Sequence, residues 1–353
     1  MAFNFPPGPN YTDIQSQLLF TTDIIELTSN LLLACPISII NFILILKTSI
    51  IHPNLKLIIL CQSLCIFIRG IGRIILNFVR IYLQDYSTKG PSLLAIFYLQ
   101  PLFIRNCIMH VMVIERIMAT LKSKNYEKNR NIFFHIIWII ITTCFAFVNS
   151  FSSLIIQYNY FVTLTYSILF LLGIFEIWTF FWILNHNKRN YEKKLLEGRH
   201  LLSERYQICE NIRTSKQLIP CFILHFINLI LPGIYVSLVT FGIYSGQFNQ
   251  DFTEELLYLI TTFISFLIEL SMIMFHPFLK REFLHYLIVS FGCRILKSNN
   301  SAVVPLTEND ISLTNINNKT IKGPIDIDGH LFFTEKQENI TNEYFKQLTI
   351  SWQ

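Results

Sequence analysis

Two arginines four residues apart on a helix project from one face, where their forked guanidinium groups can grip carboxylates or other oxyanions. Arg69 and Arg73 have that spacing in LCIFIRGIGRIILNF (64–78), and Gln62 and Asn77 extend the stripe. Arg105 stands alone in PLFIRNCIMH (101–110), while Glu26, Glu176 and Glu269 are carboxylates in equally apolar surroundings. Another arginine sits differently: Arg116 directly follows Glu115 where the run VMVIERIMAT (111–120) begins to turn polar. Two chemistries are open to the isolated charges. They pair with one another as structural braces, or one unpaired guanidinium or carboxylate orients a small polar or anionic ligand.

The elements that must position these groups follow from composition. The chain has 353 residues, of which 52% are hydrophobic and only 14% charged, with 32 Phe. A soluble chain carries about one quarter charged residues, so these proportions favour a membrane protein. Seven apolar runs, 24–46, 55–79, 92–114, 132–157, 160–184, 218–243 and 255–279, each meet or exceed the roughly 20 residues that cross a bilayer core. If the first run starts outside, the connections 47–56, 115–131, 185–217 and 280–297 carry 19 Lys and Arg, and the opposite side carries only Arg80 and Lys89. This asymmetry places the N-terminus outside and the C-terminus in the cytosol. The expected fold is therefore an all-α seven-transmembrane helix bundle. Its parts are an extracellular segment 1–23, a helical domain 24–297 ending in a juxtamembrane amphipathic helix, and a flexible cytoplasmic tail 298–353.

Depth along the spans then suggests partners. Arg105 precedes Arg116 by eleven residues, roughly 16 Å at 1.5 Å per residue, which puts it near the midplane. By height, Glu269 faces Arg105 and Glu26 faces Arg73. A bare charge at such depth costs a few kcal/mol or more, so each group must face the interior.

Fewer signals concern other chemistry. Six cysteines lie in apolar runs and no CxxC or zinc-type spacing occurs, so neither a disulfide framework nor a metal site is expected. His110, His135 and His225 read as hydrogen-bonded interior groups. No HExxH, GxSxG or P-loop pattern suggests an enzyme, and no cofactor is implied. The first 23 residues have no Lys, Arg or signal-peptide apolar region, which leaves the first span to act as signal anchor. Of the sequons at Asn10, Asn299, Asn318 and Asn339, only Asn10 lies on the side that is glycosylated. KREFLHYLIVSFGCRIL (280–296) suits an amphipathic helix on the inner leaflet, with Cys293 a palmitoylation candidate. From Tyr191 to Lys216 there is no Pro and one Gly, so the fifth and sixth helices can continue past the membrane, with Ile208 and Ile212 packing on a neighbour.

Seven spans, an acidic-Arg pair ending the third, a basic helix-compatible third cytoplasmic loop, and prolines in the sixth and seventh (Pro232, Pro277) together resemble a G-protein-coupled receptor. ERIMAT (115–120) with Tyr126 and Glu127, LSERYQICENIR (202–213) and HPFLKREF (276–283), in that order, are similar to nematode serpentine chemoreceptors of the Sra superfamily, most like class epsilon, Sre. The resemblance implies a plasma-membrane receptor, in sensory-neuron cilia, that detects an odorant or pheromone-like small molecule and signals to a heterotrimeric G protein. It assigns coupling to Glu115, Arg116, Arg205, Tyr206, Gln207, Glu210, Asn211 and Arg213. The chain departs from the rhodopsin-like pattern: Pro91 and Ser92 stand where a cysteine heads the third span, HPF replaces NPxxY, and LPG lacks the CWxP tryptophan. A seven-spanning ligand-gated channel of the insect kind would place the N-terminus inside, against the Lys/Arg count, and a small-solute transporter would show internal repeats, of which none is evident. Membrane lipid is the remaining partner, and nucleic acid is not one.

Overall fold

The computed structural model describes residues 11–48, 51–86, 90–121, 132–154, 159–197 and 202–290. Asn10, Cys293, Tyr126, Glu127 and the expected tail lie outside the described residues, as do the side chains of Arg205, Tyr206, Gln207 and Glu210.

The first helix starts earlier than its apolar run, because Thr12 caps it. The Thr12 hydroxyl accepts from the Gln15 N–H at 3.4 Å, and the Gln15 side chain accepts from the Thr12 N–H at 3.1 Å, a reciprocal capping box. Helix α1 therefore runs Asp13–Ser29, so Asp23 belongs to it and not to a preceding segment. One widened π turn, Asn30–Ala34, leads into α2, Cys35–Lys47. Pro36 has no N–H to offer the previous turn, and the π turn absorbs the mismatch, with the Cys35 N–H bonding Asn30 O.

The remaining helices are α3 Pro53–Leu83, α4 Ser92–Leu121, α5 Ile132–Leu154, α6 Asn159–Glu197, α7 Leu202–Thr240, α8 Gln247–Met274 and α9 Pro277–Ser290. Counting α1 with α2 as one span, seven among the described residues are long and apolar enough to cross a membrane. As expected from the lack of proline, α6 and α7 continue well past their apolar runs. Pro232 lies inside α7, but Pro277 does not lie in the seventh span: α8 stops at Met274 and Pro277 opens α9.

Polarity is inside out relative to a soluble fold. Arg73, Glu26 and Glu269 are wholly buried, whereas Leu171 and Trp178 on α6 stand 66% and 65% exposed. Apolar groups face outward because hydrocarbon is their solvent, and polar groups turn inward to find partners. Helix α4 is central, touching α3, α5, α6 and α7, while α1 closes the bundle against α3 and α8. Gly72 lets α3 approach α4 closely, since a Cβ there would lie 2.9 Å from Tyr98 Cβ.

Candidate functional site

At the N-terminal end of the bundle, the stripe foreseen on α3 meets carboxylates from two helices. Arg73 takes Glu26 of α1 side-on, Nε donating to Oε1 at 2.9 Å and Nη2 to Oε2 at 2.5 Å, and its Nη2 also pairs with Glu255 of α8. Asn77 donates to Glu26 Oε2 at 3.0 Å. The Tyr258 ring lies 4.1 Å from the Arg73 guanidinium carbon, a cation–π contact made in a dry setting. Arg80 is not a loop residue: it is buried in α3, with Nη1 2.7 Å from Glu255 Oε1 and 3.3 Å from Asp23 Oδ1. Asp23, Arg80 and Glu255 thus complete a cluster from which the apolar-run boundaries cut off Asp23 and Arg80, while Glu255 opens the seventh run. The signal was present in the sequence, since Arg80 continues the stripe of Arg69, Arg73 and Asn77 at helical spacing and Asp23 precedes Glu26 by three. Just beyond, the Tyr11 hydroxyl donates to Asp251 at 2.5 Å, and burial followed by that carboxylate pushes the phenol above its ordinary range.

Deeper in the bundle a second polar layer spans α2, α3, α4, α7 and α8. Glu269 accepts from Asn41 and, at 2.9 Å, from the Ser63 hydroxyl, both through Oε2. Arg105 does not pair with Glu269 as height suggested; it donates through Nη1 to Ser265, one helical turn away on α8. Height along a span sets the layer, but rotation about the helix axis decides the neighbour. Arg69 donates to Thr262 Oγ1 at 3.3 Å and to the Tyr258 carbonyl at 3.1 Å. The histidines occupy hydrogen-bonded interior positions: His225 with Gln62 at 3.1 Å, His110 with Glu176 at 2.5 Å and His135 with Asn54 at 2.9 Å.

The opposite end, which carries the basic connections, holds Glu115 and Arg116. Both are buried and they grip each other side-on, Arg116 Nε to Glu115 Oε2 at 2.5 Å and Nη2 to Oε1 at 2.7 Å. Neighbouring turns are tied across helices. Asn211 of α7 donates to the Ala119 carbonyl of α4 at 3.2 Å, Asn187 of α6 to Thr120 at 3.1 Å, and Gln217 of α7 to the Met272 carbonyl of α8 at 3.1 Å. Ile208 and Ile212 pack with Leu184 of α6, as their spacing indicated. Arg213 points outward, near enough to His276 to act on it electrostatically. Asn187 and Gln217 were not singled out from sequence, because lone amides in an apolar-to-polar transition look like ordinary helix ends.

HPF has a physical role here. The His276 Nδ1 accepts from the Leu279 N–H at 3.3 Å, capping α9, with Pro277 at the position where a missing N–H does no harm. Burial, and then Arg213, lower the His276 pKa to about 4. Leu279 and Phe283 pack that helix into the main core.

One cleft of about 560 Å³ lies between α6 and α7, bordered by Tyr166, Phe170, Leu229 and Gly233. It adjoins a cluster formed by Phe103, Ala146, Val162, Tyr166, Leu169 and Leu229.

Seven apolar helices around a charged interior, tied together at the basic end by amide crosslinks beside an acidic-Arg pair on α4, define a multi-pass membrane protein of the seven-transmembrane receptor class. The model of the Sre G protein-coupled chemoreceptor family matches residues 87–353, and the chain belongs to that family. No curated protein matches it.

Proposed function

We propose that this chemoreceptor binds a small-molecule cue within the outer half of its bundle and passes the event to a heterotrimeric G protein at the basic, cytosolic end, in the plasma membrane. The observation that carries the reading is the sealed Glu115–Arg116 pair at the end of the central helix, beside the Asn211 tie from α7. Helix α4 runs from Tyr98, against the Arg73 cluster, past Pro101 and through Arg105 to Arg116, so one continuous helix connects both polar regions with the basic end. A ligand that favours a different seating of α4 and α7 must stretch the Asn211 and Gln217 bonds, and this bias can expose Arg116 to a partner. Arg213 and Lys216, exposed on the extension of α7, supply the adjoining basic surface. Family membership supports a receptor function.

The test is odorant-evoked G-protein signalling in cells expressing wild type and Arg116→Ala at matched surface levels, across a broad panel of volatile and water-soluble compounds. The expected result is a response that falls at least about tenfold in the variant, a difference of roughly 1.4 kcal/mol or more. An undiminished response in Arg116→Ala, or ion current that needs no G protein, overturns the proposal.

A further inference from the structure

We infer that Arg105 is the binding group for the carboxylate of a small organic acid with an apolar body, and that the body occupies the cleft between α6 and α7. This names the ligand class for the receptor reading above and rests on it.

The first observation is the state of the Arg105 fork. The side chain is 1% exposed, and its Nη1 is satisfied by Ser265. Its Nε and Nη2 have no hydrogen-bond partner among the described residues, and Arg105 forms no ion pair with any of them. Those two atoms form the side-on edge of a guanidinium, the edge that matches both oxygens of a carboxylate. The protein shows twice what that edge takes. Arg73 presents Nε and Nη2 to Glu26, and Arg116 presents the same pair of atoms to Glu115. Arg105 has the same edge in an equally dry place, and no carboxylate among the described residues contacts it. Glu269 acts on it across a distance, its Oε2 being held by Asn41 and Ser63.

A second guanidinium sharpens the sign. Arg69 lies within electrostatic range of Arg105 and also has a buried Nε without a partner. Glu26 acts on Arg69 and Glu269 on Arg105 from a distance, but with no carboxylate among the described residues touching either cation, an anionic guest is favoured over a cationic one.

The shape of the guest comes from the cleft. Tyr166 stands between the two regions: it borders the cleft, its ring packs against Phe103 at 6.0 Å, and its phenol is within electrostatic range of Arg105, two residues further along α4. Apart from Tyr166, Ser167 and Ser237, the walls are hydrocarbon, aromatic or glycine, with no charged group. Such walls suit an alkyl or aryl body and leave the charge at one end of the molecule. Leu171 and Phe241 on the cleft rim are each 66% exposed on the outer face of the bundle, so an amphiphilic acid held in the bilayer meets the opening from the side.

The experiment uses the purified full-length protein in lipid nanodiscs, with binding and thermal stabilisation measured for octanoate, methyl octanoate and octanol. Octanoate is expected to bind and stabilise the wild type, with both neutral analogues at least about tenfold weaker. Arg105→Gln should abolish that preference. Should it fail to fold, Arg105→Lys keeps the charge but not the fork and is expected to lose about tenfold. Gly233→Phe, which fills the cleft beside Tyr166, should weaken octanoate with Arg105 intact. Equal binding of the neutral analogues, octanoate binding unchanged in either Arg105 variant or in Gly233→Phe, or no octanoate binding to the wild type, overturns the inference. Receptor signalling to uncharged compounds alone would sink this ligand class while leaving the receptor reading in place; octanoate binding without any G-protein response would do the reverse.

Discussion

Glu255 answers two arginines at once, which makes it the residue whose loss has the most to disrupt. Its Oε1 meets Arg80 and its Oε2 meets Arg73. Removing one partner from a buried ion pair strands the other, typically at about 3–5 kcal/mol, whereas replacing both with apolar groups is far milder. Glu255→Ala is therefore expected to lower the thermal midpoint of the purified protein sharply, and Glu255→Ala with Arg80→Met to recover part of that loss. Simple additivity of the two single effects would show that Arg80 and Glu255 are not coupled. At this scale the sequence revealed residue types better than partners. Arg73 and Glu26 could be matched because both are strongly apolar in context and similar in height. Arg105 and Glu269 have similar height too, but each finds a nearer hydroxyl or amide, and azimuth about a helix axis is not written in its spacing. Asp23 and Arg80 were misplaced for another reason. Hydropathy windows end where charges begin, and these charges are buried by each other.

The helices themselves were largely legible, since a lipid-facing surface enforces long apolar runs and proline-free stretches continue them. What hydropathy misses is how helices start and stop. Thr12 and Gln15 extend α1 well ahead of its apolar run, and the π turn at Asn30–Ala34 is a response to Pro36 that no periodicity announces. Two His–Pro pairs open helices, His52 before α3 and His276 before α9, each accepting an N–H through Nδ1 at 3.3 Å. That mode of capping needs an unprotonated ring nitrogen. In the folded protein His276 titrates at about 4, below its ordinary 6.5, so the unfolded chain takes up the proton first. The stabilisation is present above 6.5 and is lost as pH falls from 6.5 toward 4. His276→Asn keeps an acceptor that does not titrate and should show a flatter fall of the thermal midpoint across that window, while His276→Ala should lose about 1 kcal/mol at neutral pH. Parallel pH profiles for wild type and His276→Asn would remove the histidine from the acid response.

For the whole molecule, the charge distribution bears on which end meets which side of the membrane more than any single contact does. The structure moves Arg80 out of the sparse set of loop cations and into the buried cluster. Cations counted on the opposite side also lie in helices, among them Arg116 in α4 and Arg213 and Lys216 in α7, so the imbalance rests on their position toward the span ends. Positive residues near span ends resist translocation, so the charge count predicts the α2–α3, α4–α5 and α6–α7 connections on the cytosolic side. That orientation would put the Asp23–Arg80–Glu255 cluster toward the outside and Arg116 toward the inside. Asn10 is then the sequon that reaches the glycosylation machinery. In cells, a glycosidase-sensitive mass shift should disappear in Asn10→Gln and persist in Asn318→Gln, and a C-terminal epitope should be stained only after permeabilisation. A shift that follows Asn318, or a C-terminal epitope visible on intact cells, would invert the protein, move Arg116 out of reach of any G protein and favour a channel architecture for the same seven helices.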